Sequence, residues 1–392
     1  MRISRLRTDS SPDPLLVPMT RRLRRIALAL AMTAIAALGA TSQAQAATGM
    51  ELALQDDAAF VTQEYPKLKH AKAFPLLNEL GVRWLRVNIG WAGVIGAKAA
   101  RAKSKPADVR YDFTAYDALI NSAEQNGVSL EVGLTGAAPA WATADKRVGV
   151  NKPNATRFKE FVRAAVDHLG AHVDRWSIWN EPNHVGWIKP LKSQASIYRS
   201  LYLAGYGIIK AADSNDEVLI GETAPYASRK GVATPPLQFL RQLTQRGGLK
   251  ADGYAHHPYD FKHAPNFKYP GADNVTLSGL SKLTKLLDSL TRSRKLTTPE
   301  GGKLDLFLTE FGYLRSGSQK QSESNRAKYL KMGYDMALRN SRVRQMLHFL
   351  LVQPARKYRF FDTSLVSQSG GRTNAFKALA SWASGNASKV NR

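Results

Sequence analysis

The chain predicts a single α/β domain, a TIM (β/α)8 barrel. Three observations lead there. Short β-favouring apolar runs alternate with amphipathic helical stretches from residue 50 onward, which argues βαβ units and a parallel sheet. Eight such units follow one another without a Pro-, Gly- or Ser-rich linker, and the 392 residues, 44% of them hydrophobic, suit one barrel with a large core. Two of the runs, Trp176-Ser177-Ile178-Trp179 and Leu304-Asp305-Leu306-Phe307-Leu308-Thr309, lead into Glu181 and Glu310; a barrel keeps its chemistry at the C-terminal ends of its strands. A doubly wound open sheet is the alternative, weakened because no Gly-rich phosphate loop follows the first strand.

The N-terminus reads as a signal peptide over residues 1–46. Arg21, Arg22, Arg24 and Arg25 form a positive segment, residues 26–40 an apolar one, and Ala44-Gln45-Ala46 a small-x-small cleavage site. Met19 offers a second start that would give a more ordinary signal. The apolar segment is short against the roughly 20 residues of a membrane span. Cleavage after Ala46 is therefore expected, with secretion and no stable membrane insertion afterwards. Residues 47–392 are left as the barrel. The chain has no cysteine, so neither a disulfide framework nor a thiolate metal site can form.

The elements follow in order. Residues 50–54 are the first strand, 71–80 a helix closed by Gly81, and 82–89 the second strand, carrying Arg86. Residues 116–125 read as helix, stopped at Asn126-Gly127, and 129–134 as strand three. Phe158, Phe161, Val162, Ala165, Val166 and Leu169 recur with helical period and make one apolar face. Strand four ends at Asn180-Glu181, where Pro182 cannot donate to a ladder. The next helix places Ile197, Leu201, Ala204 and Ile208 on one side. Residues 218–221 are strand five, 253–256 strand six and 304–310 strand seven. Helices are expected from residue 237, through Leu280–Leu290 spaced leucines, over 329–338 and over 376–382. Residues 346–352 are strand eight. The polar end, 385–392, is expected to fray.

Two carboxylates delivered by two strands are what glycoside cleavage needs, one as acid/base and one as nucleophile. His256 and His257 are neighbours on a strand and should point to opposite faces, which argues against a shared metal. No His or carboxylate sits at metal-ligand spacing, so no metal and no other cofactor is expected. Trp91 and Trp141 leave strands two and three and are candidates to stack on sugar rings, with core packing as the alternative. Glu222 ends strand five and is a candidate to support the acid/base or bind substrate.

The set Arg86, Trp179-Asn180-Glu181-Pro182-Asn183, His257-Pro258-Tyr259 and Glu310, in that order on eight βα units, resembles the retaining glycoside hydrolases of clan GH-A, and families 39 and 5 most. The closing pattern of Asp362, Leu365, Gly370-Gly371 and Phe376-Lys377-Ala378-Leu379 fits as well. The resemblance implies Glu181 as general acid/base and Glu310 as nucleophile. It implies Asn180 on the sugar 2-hydroxyl, and Arg86 and Tyr259 on Glu310, keeping it ionised while its charge keeps Glu181 protonated. His257 is expected beside the sugar or the acid/base. One departure stands out: residues 348–353 read His-Phe-Leu-Leu-Val-Gln, without the strand-eight Trp of many relatives, so Phe349, Gln353 or another loop residue is the candidate replacement.

The formal net charge is +25, and Lys and Arg recur in loops after strands two, four, six, seven and eight. An anionic carbohydrate substrate is one expectation from such a ring; a merely soluble basic surface is the other. Nothing resembles a nucleic-acid reading helix, so no nucleic-acid partner is expected. A non-catalytic glycan-binding barrel and a transglycosylase using the same carboxylates stand as alternatives to a hydrolase.

Overall fold

The computed structural model describes residues 49–227 and 231–391, which lie in one compact unit. The signal-peptide reading of residues 1–46 lies outside the described residues. Eight strands close into a parallel barrel in chain order: β1 Glu51–Gln55, β2 Trp84–Gly90, β3 Ser129–Thr135, β4 Arg175–Ile178, β5 Glu217–Thr223, β6 Gly253–His256, β7 Asp305–Leu308 and β8 Val343–Phe349. β1 pairs with both β2 and β8, so the sheet has no free edge. Eight main helices cover it: α1 His70–Glu79, α2 Thr114–Gln125, α3 Ala155–Leu169, α4 Gln194–Ala212, α5 Pro236–Leu243, α6 Leu280–Arg292, α7 Glu323–Leu338 and α8 Asn374–Gly385. The expected barrel is thus the observed one. A two-stranded ribbon outside it, Leu249–Lys250 with Leu296–Thr297, was not foreseen.

The helices sit where their apolar faces dictate. All six residues expected to face inward on α3 are buried, and the Asn154 side chain caps its start by accepting from the Arg157 N–H at 3.0 Å. Leu280, Leu283, Leu287 and Leu290 are likewise buried on α6, whereas Leu286, expected with them, is half-buried. The face of α4 is rotated from the expectation. Tyr198, Leu201, Tyr202, Gly205, Ile208 and Ile209 are buried, whereas Ile197 and Ala204 are half-buried. The reason is steric: Gly205 lets α4 close on Ile178, and a Cβ there would meet the Ile178 Cδ1 at 2.6 Å.

The C-terminal end departs from the expected fraying. Val390 bridges Met50 and is buried. Asn391 accepts from the Leu52 N–H at 2.8 Å and donates to the Gly81 carbonyl at 2.6 Å. Backbone pairing and a side chain with two partners hold a segment that composition alone marks as loose. Among the described residues no helix is long and apolar enough to cross a membrane.

Inside the barrel, register rather than sequence distance brings charges together. Gln55 is level with Arg86, Arg86 with Glu131, Glu131 with Arg175, and Arg175 with Glu217 across five neighbouring strands. This row rises toward the mouth at β1 and β2, where the site lies.

Candidate active site

The chain kinks where the strands stop. Trp179, Glu181, Glu222 and Leu350 all have positive φ, at +67°, +34°, +49° and +69°. Such conformations cost on the order of 1 to 3 kcal/mol each in non-glycine residues and concentrate at functional sites. Trp179 is pressed on Gly136, where a Cβ would stand 2.7 Å from its ring, and donates to the Trp187 carbonyl at 2.9 Å. Asn183 then ties this loop to the one after β5. It donates to the Ala224 and Thr234 carbonyls and accepts from the Ala224 N–H, all at 2.8 to 3.0 Å. Glu181 is thereby held facing the mouth with its side chain 21% exposed. At Glu222 the β5–β6 register slips between Gly221 and Thr223; this bulge re-aims the carboxylate into the barrel.

Arg86 is fully buried beneath the mouth. Its guanidinium contacts Glu222 at 3.1 Å, Glu310 at 3.2 Å and Glu131 at 3.5 Å. It also donates to Gln55 and to the Asn180 side-chain oxygen. Tyr259 donates to Glu310 Oε2 at 3.1 Å. His257 lies between the carboxylates: Nδ1 is 3.1 Å from Glu181 Oε1 and 3.7 Å from Glu310 Oε2, and Nε2 is 2.8 Å from Glu222 Oε2. Thr309 donates to that same Glu222 oxygen at 2.7 Å. His256 points the other way, onto Thr223 at 2.8 Å and the Val275 carbonyl at 2.9 Å, as the strand alternation requires.

The charges divide accordingly. Burial alone would lower His257, but Glu310, Glu181 and Glu222 outweigh it and push it up to about 10. His256 has no carboxylate partner, and burial lowers it to about 4. Burial raises Glu222, yet Arg86 and His257 bring it down to about 2. Burial likewise raises Glu181, and the His257 imidazolium more than offsets that and holds it below the usual range. Glu310 is raised: its burial, with the charges of Glu181 and Glu222, outweighs His257 and Arg86. These directions favour a charged His257–Glu181 pair in the free site over a protonated Glu181, and Arg86 moderates the rise at Glu310.

These groups open onto a cavity of about 860 Å³. Glu181, Glu310, Asn180 and Tyr259 line it, as does Phe349 from the end of β8; Gln353 does not. Trp91 and Trp141 are elsewhere, which corrects the stacking expectation. Trp91 is fully buried, stacked on Phe161 at 5.9 Å and edge-on to Trp141 at 5.7 Å, and Trp141 donates to the Ala99 carbonyl. Both pack between the barrel and its helices, because their strand ends turn outward into α3 rather than across the mouth. Several participants escaped the sequence reading, Glu131 and Trp187 among them. Glu131 is fully buried under Arg86; its signal was a lone charge within the apolar run 130–134. Trp187 lines the cavity; its signal was an aromatic residue in the loop directly after Glu181.

No family model matches the chain, and no curated protein matches it in sequence. Solved structures do. It is similar to a family 39 glycoside hydrolase from the gut symbiont Bacteroides cellulosilyticus WH2, with a TM-score of 0.65 and 18% identity over 86% of this chain. The chain spans 64% of that protein's length. It is also similar to a GH39 β-xylosidase from Caulobacter crescentus, with a TM-score of 0.53 and 18% identity over 88% of this chain and 72% of that one. A glucosidase from Croceicoccus marinus has a TM-score of 0.61 and 12% identity over 88% and 69%. At these identities the likeness is one of fold, and the family 39 resemblance read from the sequence reappears in it.

Proposed function

We propose that the chain is a secreted retaining glycosidase acting by double displacement. The observation that carries this is the position of Glu181 and Glu310 just past the ends of β4 and β7 at one barrel mouth, joined through His257. Since Nδ1 touches one carboxylate and lies near the other, the two oxygens are no farther apart than the sum of those distances. That bound admits the roughly 5 to 5.5 Å of a retaining pair and excludes most of the wider range of an inverting one. Glu310 attacks the anomeric carbon while Glu181 gives a proton to the leaving oxygen. Water, deprotonated by Glu181, then attacks the glycosyl–Glu310 ester and frees the enzyme. The His257–Glu181 pair holds the needed proton. Moving it from Nδ1 to Oε1 makes Glu181 the acid, while Nε2–H stays on Glu222.

The substrate at the reacting position is a neutral sugar. The cavity lining has carboxylates and aromatic rings but no Lys or Arg among the described residues, which favours a neutral sugar; Lys357, 4.6 Å over the ring of the lining residue Tyr358, stands at its edge. The test is a panel of neutral and uronate aryl glycosides with the wild type, Glu310→Gln and Glu181→Ala. Glu310→Gln loses turnover. Glu181→Ala keeps the first step on substrates with a good leaving group and, with azide, yields a glycosyl azide of retained configuration. Full turnover by Glu310→Gln sinks the reading.

A further inference from the structure

Among the described residues five large hydrophobic side chains are exposed: Val148, Leu203, Phe267, Tyr358 and Phe360. Leu203 lies on α4. The other four sit on loops that leave the C-terminal ends of β3, β6 and β8, the face on which the cleft opens. Each has cations beside it in sequence. Lys146 and Arg147 precede Val148, Lys268 follows Phe267, Arg356 and Lys357 precede Tyr358, and Arg359 separates Tyr358 from Phe360. None of these six cations pairs with a carboxylate among the described residues, although Asp145 adjoins the first pair in sequence. Lys357 stands 4.6 Å over the Tyr358 ring. The loops after β6 and β8 form one rim, since Phe261 meets Phe361 edge-on at 5.3 Å.

Tyr358 and Phe360 stand at the edge of the cleft and line part of it, where their rings can also stack on a sugar. Val148 and Phe267 are outside the lining, and Phe360 is 74% exposed, more ring surface than a sugar in the cleft would cover. An acidic polysaccharide would need cations along its track in the cleft, and the lining has none among the described residues. Exposed aromatic residues flanked by Lys and Arg are instead the composition of segments that enter the headgroup region of an anionic bilayer. We propose that the cleft face docks on an anionic lipid surface, with Phe267, Tyr358 and Phe360 entering the interface and the flanking cations meeting lipid phosphates. Docking would hold the cleft against sugars displayed at that surface, whatever the outcome at Glu310.

Vesicle flotation of the full chain tests this, with phosphatidylcholine vesicles and mixed phosphatidylglycerol–phosphatidylcholine vesicles. Two variants are compared with the wild type: Phe267→Ser with Phe360→Ser, and Arg356→Gln with Lys357→Gln and Arg359→Gln. The apolar residues 26–40 are common to all three proteins, so the loss between proteins is what is read. The charge variant should lose about 100-fold in partition onto anionic vesicles, and the wild type should lose binding in high salt. The aromatic variant should lose about 10-fold or more. All changes are at exposed positions, and thermal melting confirms folding; if one variant fails to fold, the other decides. Equal partition of the wild type onto neutral and anionic vesicles overturns the proposal. So does unchanged partition of a folded variant, or binding of polygalacturonate, but not of vesicles, through the same residues.

Discussion

Arg86 on β2 and Arg175 on β4 are both fully buried in the barrel, and both contact Glu131 at 3.5 Å from the strand between them. Their other surroundings differ. Arg175 holds Glu51 at 3.0 Å and Glu217 at 2.6 Å. Its guanidinium lies between the rings of Trp84 and Phe307, at 3.9 and 4.4 Å, which replace lost solvent on both faces. Its partners have no share in the cavity. Arg86 has no such clamp; its partners Glu222 and Glu310 are also held by His257, Thr309 and Tyr259, and Glu310 faces the cavity. A buried arginine whose carboxylates answer to it and to few others closes the barrel floor. One whose carboxylates are contested sets the charge of a site.

The largest expected effect separates the two by activity. Arg86→Met should lower kcat/KM by about 10²- to 10³-fold, a loss typical of removing one preorganised donor. Arg86 lowers Glu310, so its removal raises Glu310 further, and the acidic limb of the pH–rate profile should move to higher pH. An unmoved limb in a folded, active variant would remove Arg86 from that role. Next comes Arg175→Met, which removes the buried cation that Glu51, Glu131 and Glu217 share. Urea unfolding should show a loss of about 3 to 5 kcal/mol, while kcat of the folded fraction stays within a few-fold. If the Arg175 variant loses activity as Arg86→Met does, the distinction between floor and site fails.

A smaller effect concerns slope. His257 is raised in the folded chain to about 10, above an unfolded value of about 6.5. The stability it adds is full below about pH 6.5 and lost as pH rises through 10. The melting temperature of wild type should fall over that window, and His257→Asn should flatten the fall even though it lowers stability at every pH. The smallest effect is expected at the shared residue. Burial and the Glu222 charge, against Arg175 and Arg86, raise Glu131 to about 7. Near pH 6 it is largely neutral, so Glu131→Gln should change stability by less than about 1 kcal/mol there. A larger loss at pH 6 would mean that both arginines depend on an ionised Glu131.

Much of this was legible in the sequence, for physical reasons that also mark the limit. Strand–helix alternation gave the barrel because period and length are local properties. Glu181, Glu310, His257 and Tyr259 could be placed together because each stands just past a strand end, and closure brings those ends together; Arg86, inside β2, reaches the same place because its strand register sets it beneath the mouth. Trp91 and Trp141 stand at such places too, but a side chain there can turn inward to the mouth or outward to the helices, and spacing alone does not choose. Glu131 escaped because a single carboxylate in an apolar strand looks the same whether it meets water or two buried cations. The free-site proton on His257 was likewise invisible, since it depends on three carboxylates from β4, β5 and β7 converging on one ring.

The joining of Val390 to Met50 and of Asn391 to Leu52 and Gly81 has a practical consequence. The last described residues are stitched in beside the start of β1, at the pole of the barrel opposite the cleft. A chain tethered to a bead or chip through its C-terminus would hold that pole down and leave the mouth, with its ring of aromatic and basic loops, facing the medium. The same adjacency makes the barrel a candidate for circular permutation, with a short peptide joining residue 391 to residue 49 and new ends opened in a surface loop.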